Sequence, residues 1–172
     1  AKAFVQNWRW QGVPMYLRTG KKLARKVTEI ILQFKSVPHL LFPESAALTA
    51  NHISICIQPE EGIHLGFEMK VPGTAMKTTP ADMAFHYGDR FGEEAIPDAY
   101  ERLLMDALQG DPSLFARSDE VEAAWTIVEP LLDPREKPMT VHPYEPGSWG
   151  PSAAEDFIGR DGWQWHYSCS EE

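Results

Sequence analysis

The sequence predicts an α+β fold: an antiparallel β-sheet with helices packed on one face. Three observations carry this. Segments with strand-like alternation crowd the first half of the chain, two amphipathic helical stretches follow them, and the two do not interleave as a parallel sheet requires. The link "PEEG" between two of the alternating runs is also too short for a crossover, so those runs are expected to be hairpin neighbours.

Taken in order, "VPMYLRTG" is a candidate first strand that ends in a turn at Gly20. In "VTEIILQF", Ile30, Leu32 and Phe34 fall on one face, against Glu29, Ile31 and Gln33. "HISICIQ" sets Ile53, Ile55 and Ile57 against His52, Ser54, Cys56 and Gln58. "IHLGFEMKV" aligns Ile63, Leu65, Phe67, Met69 and Val71, and "DMAFHY" aligns Met83, Phe85 and Tyr87. Alternation of this kind marks strands with one covered face. Loops are expected from Ser36 to Asn51, over "VPGTAMKTTP" and over "GDRFGEEAIP".

In "PDAYERLLMDALQG", Tyr100, Leu103, Leu104, Ala107 and Leu108 make a helical stripe. Asp98 and Glu101 have capping-box spacing, and Gly110 stands where a C-terminal glycine stop belongs. In "RSDEVEAAWTIVEPLL", Ser118 is the expected cap, Asp119 and Glu120 suit the positive end of the helix dipole, and Pro130 is expected to end or distort the helix. Beyond Asp133, prolines recur and periodicity fades until a short helix near Ala153. Tyr144, Trp149, Phe157, Trp163, Trp165 and Tyr167 are costly to leave in water. They imply an ordered tail wrapped on the body.

The totals agree with this outline. At 172 residues the chain is long enough for one domain with a real core. Its 43% hydrophobic and 24% charged residues place it among globular chains and outside disordered ones. No apolar run is long enough to cross a bilayer as a helix. The start, "AKAFVQNWRW", lacks both an initiator Met and the apolar core of a signal peptide, so a cytoplasmic fragment of a longer chain is expected. Cys56 and Cys169 are 113 positions apart, which is neither a disulfide framework nor a zinc motif. Two reduced thiols are the expectation, with a redox-sensing pair as the alternative.

A formal charge of −9 argues against general nucleic-acid or anionic-membrane binding. It leaves room for one local anion site. Of the chain's 16 Lys and Arg residues, Arg18, Lys21, Lys22, Arg25 and Lys26 lie within "LRTGKKLARK". Ammonium and guanidinium groups form charge-assisted bonds to phosphoryl oxygens, and Gly20 lets a ligand approach the backbone closely. If the chain turns between them, Lys21 and Lys26 converge on one small anion; a solvated basic turn is the alternative. No nucleophile elbow, Walker loop or dinucleotide glycine motif is present. His52, His64 and His86 lie on the less apolar faces of their strands and approach one another if those strands pair. With neither H-x-x-x-H nor H-x-H spacing, a metal site is not expected.

Three long segments carry a resemblance. "NWRWQGVPMYLRTGKKLARK", "IPDAYERLLMDALQGDPSLFARSDEVEAAW" and "YEPGSWGP" resemble, in order, stretches of the glucose-6-phosphate dehydrogenase family in its bacterial form. The resemblance implies that residues 1–172 are the family's C-terminal β+α domain, whose large antiparallel sheet makes a homodimer contact, with a tetramer also possible. It implies oxidation of glucose 6-phosphate to 6-phosphogluconolactone in the pentose phosphate pathway, with hydride passing to NADP held by an N-terminal Rossmann-type half. That half is absent here. So is the family's R-I-D-H-Y motif, whose histidine is the catalytic base, so no catalytic residue is assigned and this chain alone is expected to be inactive. Lys21 in "RTGK" and Lys26 match two cations that contact the sugar phosphate. Gln58 in "IQP" matches a substrate-site glutamine of some members. Arg18 matches an arginine near a second, structural NADP site of some eukaryotic members. Where those carry further cations, this chain has Val27, Ile31, Cys56 and Trp149, so no structural NADP is expected. A non-catalytic assembly module with an incidental basic turn is the alternative from another class.

Overall fold

The structure is a computed structural model that describes residues 1–36, 48–73, 77–92, 96–133, 135, 140–167 and 169. The expected loop between Ser36 and Asn51 lies largely outside them, as do residues 74–76 and 93–95 of the other two. The chain forms two compact units. The first joins Ala1–Gly92 to Pro143–Glu172, and the second is Glu93–His142.

The first unit is built on four antiparallel strands in chain order: β3 (Thr28–Gln33), β4 (His52–Gln58), β5 (Gly62–Lys70) and β6 (Thr78–His86). A two-stranded ribbon, β1 (Lys2–Ala3) with β2 (Met15–Tyr16), precedes them. The expected strand in "VPMYLRTG" is thus only two residues long. β6 runs into a five-residue helix, α1 (Tyr87–Phe91), where the sequence suggests a loop. The mixed, antiparallel α+β class holds.

Register decides the character of the two sheet faces. Ile30, Ile55, Ile63 and Phe85 form one cross-strand row, and Leu32, Ile53, Leu65 and Met83 the next. The opposite face carries Glu29, Cys56, Gly62 and His86 in one row, Ile31, Ser54, His64 and Ala84 in the next, then Gln33, His52, Gly66 and Asp82. Simple alternation predicts that the first, apolar face is the covered one. In this chain it is not: Ile30 is 50% exposed, Ile63 44% and Met83 61%. Ser54, Cys56 and His64, on the polar face, are buried. The face that carries Ile31, Cys56 and Ala84 is therefore the one sealed at Cys56 and Ser54. It is sealed because the C-terminal tail lies on it.

Two glycines make that sealed face possible. The His52 ring lies over Gly66, where any Cβ would overlap it. A Cβ at Gly62 would stand 2.7 Å from the Phe85 carbonyl oxygen and 3.1 Å from His86 Nδ1. Both positions must be glycine for the imidazoles to lie flat on the sheet.

The tail is ordered, as its aromatics require. α4 (Ser152–Gly159) buries Ile158 and sets Phe157 edge-on to Tyr16, with 6.2 Å between centroids. Trp165 Nε1 donates to the Ala154 carbonyl at 3.2 Å and its ring stands edge-on to Tyr16. Cys56 and Cys169 are joined in a disulfide, which corrects the expectation of two free thiols. Sequence spacing could not reveal this pairing, because it is the tail's path across β4 that brings the two cysteines together.

The second unit contains α2 (Ala99–Gln109) and α3 (Ser118–Leu132). Asp98 caps α2 by accepting the Tyr100 N–H at 2.8 Å, and Gly110 closes it in the left-handed conformation, φ 73°. α3 departs from expectation at both ends. Its N-cap is Arg117, not Ser118, and no side chain caps it; Arg117 instead grips Asp119 through two bonds of 3.1 and 2.9 Å. Pro130 neither ends α3 nor precedes its end directly, since the helix continues to Leu132. So near the C-terminus, proline forfeits a single backbone bond that little else depends on.

Gly62→Ala is expected to destabilise the chain by about 1–3 kcal/mol, because the new methyl group meets backbone. Gly159→Ala, in open space on α4, is expected to be neutral or to stabilise by up to about 1 kcal/mol. Urea midpoints of the two variants check this, and equal midpoints would refute the crowding at Gly62.

Candidate functional site: a braced cationic loop

The loop from Lys21 to Val27 leads into β3 and has no ladder of its own. Its shape comes from a segment more than a hundred residues later. The Ala24 N–H donates to the Ser148 carbonyl at 2.9 Å, and the Gly147 N–H donates to the Lys22 carbonyl at 2.8 Å. The Tyr144 hydroxyl donates to the Lys21 carbonyl at 2.7 Å and packs over Gly20, where a Cβ would stand 3.1 Å from it. Lys22 takes the left-handed conformation, φ 53°, which is uncommon for a residue with a side chain. A backbone so held at a loop crest is over-determined by its surroundings, a frequent condition at ligand sites.

Lys21, Lys22 and Lys26 are exposed, and their ammonium groups make no hydrogen bond or ion pair among the described residues. Arg25 does have interactions. Gln58, exposed at the end of β4, is the cross-strand partner of Thr28, only two residues beyond Lys26. The sheet register thus places Gln58 at the strand end where the cationic loop enters. Lys21 and Lys26 lie on one loop, on either side of the Lys22 crest and the Ser148 brace.

Arg18 has a different setting. Its side chain is only 16% exposed. The guanidinium carbon lies 4.3 Å from the Trp165 ring centroid, 4.9 Å from Tyr167 and 5.4 Å from Trp149. Nη1 donates to the Tyr167 hydroxyl at 3.0 Å, with longer contacts to Glu155 Oε1 and the Trp149 carbonyl. A guanidinium can make cation–π contacts with several rings while its N–H groups donate hydrogen bonds in a fixed fork. Arg18 therefore joins the approach to the loop to the tail. This role was not legible in sequence, because its partners lie 131 to 149 positions away.

The sheet's polar face brings His64 and His86 together, with rings edge-on and 5.0 Å between centroids. His64 Nδ1 lies 3.4 Å from Asp82 Oδ2. His52 instead stacks on His166 of the tail at 5.2 Å, and His166 Nε2 lies 3.2 Å from Gln33 Oε1. Only part of the expected histidine grouping therefore forms. Among the described residues no group of three or more His, Cys, Asp or Glu side chains is placed to hold a metal ion. Burial lowers the His166 pKa, and neighbouring His52 lowers it further. Burial raises the Glu29 carboxyl, an effect opposed by the Cys169 N–H that it accepts at 3.2 Å and by Arg18 and His64.

An α+β domain whose antiparallel sheet carries a braced cationic loop at one end is the class that fold and geometry define. The chain belongs to the glucose-6-phosphate dehydrogenase C-terminal domain family, whose model matches residues 1–166. It is 45% identical over 161 residues to a glucose-6-phosphate 1-dehydrogenase of Aggregatibacter actinomycetemcomitans, covering 94% of this chain and 32% of that protein. It is 46% identical over 170 residues to the Mycolicibacterium smegmatis enzyme, covering 96% and 34%. Among solved structures, the Mycobacterium avium glucose-6-phosphate 1-dehydrogenase matches with a TM-score of 0.78 at 35% identity, over 96% of this chain and 34% of that one. A glucose-6-phosphate dehydrogenase in complex with its substrate glucose-6-phosphate matches with a TM-score of 0.80 at 34% identity, again over 96% and 34%. The chain thus spans about a third of the length of these relatives.

The Glu29 shift has a sign. A carboxyl whose folded pKa is raised leaves the folded state holding more protons between its ordinary value of 4.5 and the raised one, so stability falls as pH climbs through that window. Glu29→Gln, which keeps an oxygen for the Cys169 N–H, is expected to be more stable than the parent at neutral pH and to lose that slope. Thermal melts between pH 4 and 8 check this, and an unchanged slope would show that Glu29 does not carry it.

Proposed function

We propose that the chain, as a single C-terminal domain of residues 1–172, supplies the hexose-phosphate side of a glucose 6-phosphate dehydrogenase site. The observation that carries this is the cationic loop. Lys21 and Lys26 offer ammonium groups that make no ion pair or hydrogen bond among the described residues, on a backbone braced by Tyr144, Gly147 and Ser148, with Gln58 at the adjoining strand end. A relative described as bound to glucose-6-phosphate shares the fold at a TM-score of 0.80, which supports the choice of ligand.

On this reading Lys21 and Lys26 neutralise the dianionic phosphate through charge-assisted bonds, and Gln58 hydrogen-bonds the sugar. The brace restrains the loop's backbone before any ligand arrives, which lowers the ordering entropy that binding would cost. The reaction takes hydride from C1 of glucose 6-phosphate to the nicotinamide of NADP and yields 6-phosphogluconolactone. In the parent enzyme both the coenzyme and the catalytic base belong to the N-terminal half, and these residues alone are inactive. Lys21→Ala or Lys26→Ala in the full-length parent should each raise KM for glucose 6-phosphate by roughly tenfold to a hundredfold, the worth of one charged hydrogen bond. An unchanged KM in the double variant would remove the assigned role.

A second, structural NADP is not part of this reading. Arg18 Nη1 is already engaged by Glu155, Tyr167 and the Trp149 carbonyl, and Val27, Ile31, Cys56 and Trp149 supply no further cation for a pyrophosphate. The sheet is proposed to form a homodimer contact through the face bearing Ile30, Ile63, Met83 and Phe85, whose exposure favours a partner. Ile63→Asp should shift the parent toward monomer in sedimentation velocity, and an unaltered dimer would exclude that face.

A further inference from the structure

We propose that the Cys56–Cys169 disulfide is a redox-controlled clasp: it holds the C-terminal tail on the sheet, and through the tail it holds the cationic loop in shape. The coupling to substrate rests on the function proposed above; the clasp itself does not.

The path is continuous. Cys169, joined to Cys56 with 5.7 Å between Cα atoms, also donates its N–H to Glu29, the cross-strand partner of Cys56. Three residues back, His166 stacks on His52 and meets Gln33, so the tail is fastened to both β3 and β4. Between them Tyr167 stacks on Trp149, with 4.4 Å between centroids, and its hydroxyl meets Arg18 and Glu155. Trp149 follows Ser148, whose carbonyl accepts the Ala24 N–H of the loop. Loop, brace, aromatic pair and disulfide thus lie in one chain of direct contacts. Among the described residues, the disulfide is the covalent link between the tail's end and β4, beside the Cys169 N–H to Glu29 and the His166 contacts with His52 and Gln33.

The chemistry is thiol–disulfide exchange with a dithiol reductant. Cys169 is partly exposed whereas Cys56 is 4% exposed, so a reductant thiolate attacks the Cys169 sulfur. A bond forms between the reductant and Cys169, the Cys56–Cys169 bond breaks, and Cys56 leaves as a thiolate that takes up a proton. The second thiol of the reductant then closes its own disulfide and releases Cys169. The protein gains two electrons and two protons, and the reductant loses them. His166, Tyr167 and Trp149 then lose the anchor that fixes their register.

The test uses the whole 172-residue chain, air-oxidised and after incubation with dithiothreitol. Thiol titration of the denatured oxidised chain should find none free, and two free thiols would overturn the proposal. Hydrogen exchange should quicken roughly tenfold or more on reduction across 21–26, 144–149 and 163–167, while 62–70 and 78–86 hold steady. Unchanged exchange in the loop and brace overturns the clasp. Equal quickening everywhere also overturns it, because the disulfide would then be a general staple. Cys169→Ser, with its fold checked by circular dichroism, should behave as the reduced chain and ignore dithiothreitol; exchange matching the oxidised parent overturns the proposal. Calorimetry with glucose 6-phosphate separates the two readings. Weaker binding after reduction supports the coupling, and equal binding in both states refutes it. No heat in either state refutes substrate binding by this chain alone and with it the coupling, while exchange still decides the clasp.

Discussion

A single guanidinium is the hub of the first unit. Arg18 is a cation with a side chain only 16% exposed, and such a group is tolerated only when its charge is answered. Three aromatic rings and three oxygens do this. Because those groups come from Trp149, Glu155, Trp165 and Tyr167, satisfying Arg18 also fixes where the tail runs. With the tail in place, its aromatics and Cys169 cover the polar face of the sheet. Bracing of the cationic loop follows from the same placement, since Ser148 is the residue before Trp149.

The course of the tail explains why the sheet faces read one way in sequence and another in structure. Periodicity identified β3, β4, β5 and most of β6, and the short "PEEG" link identified the β4–β5 hairpin, because both are local properties. It also sorted Ile30, Ile55, Ile63 and Phe85 onto one side. It could not say which side the chain covers, since that depends on contacts with residues more than a hundred positions away. Ser54 and His64 look like solvent-facing residues in sequence and are buried by their neighbours across the sheet. Conversely, the apolar row is exposed here although every hydropathy argument would hide it. The capping of α2 was legible, since Asp98 and Gly110 act within one turn of the helix. The cap of α3 was not, because Arg117 prefers to pair with Asp119.

For the candidate site, the residue types and their clustering were visible in "LRTGKKLARK", but the geometry was not. Nothing in the sequence marks Tyr144, Gly147 and Ser148 as supports for that loop, and their hydrogen bonds run through backbone carbonyls that carry no compositional signature. Gln58 could be joined to the loop only through the Thr28 pairing. The tail's wealth of aromatics was legible: so many rings, so late in an acidic chain, need a body to lie on.

The hydrogen bonds that shape the loop span 123 to 125 positions, and those of Arg18 reach 149. Contacts of such long separation form late, because the entropy of closing the intervening chain must be met first. During synthesis the strands and the ribbon leave the ribosome well before Tyr144 or Trp149 exist. Through that interval the nascent chain carries its lysines on an unshaped segment and keeps Arg18 in water. The cationic loop is therefore made well before the segment that gives it its form. Chains released before Tyr144 should consequently keep the sheet while the lysines of the loop and the guanidinium of Arg18 stay without the partners that order them.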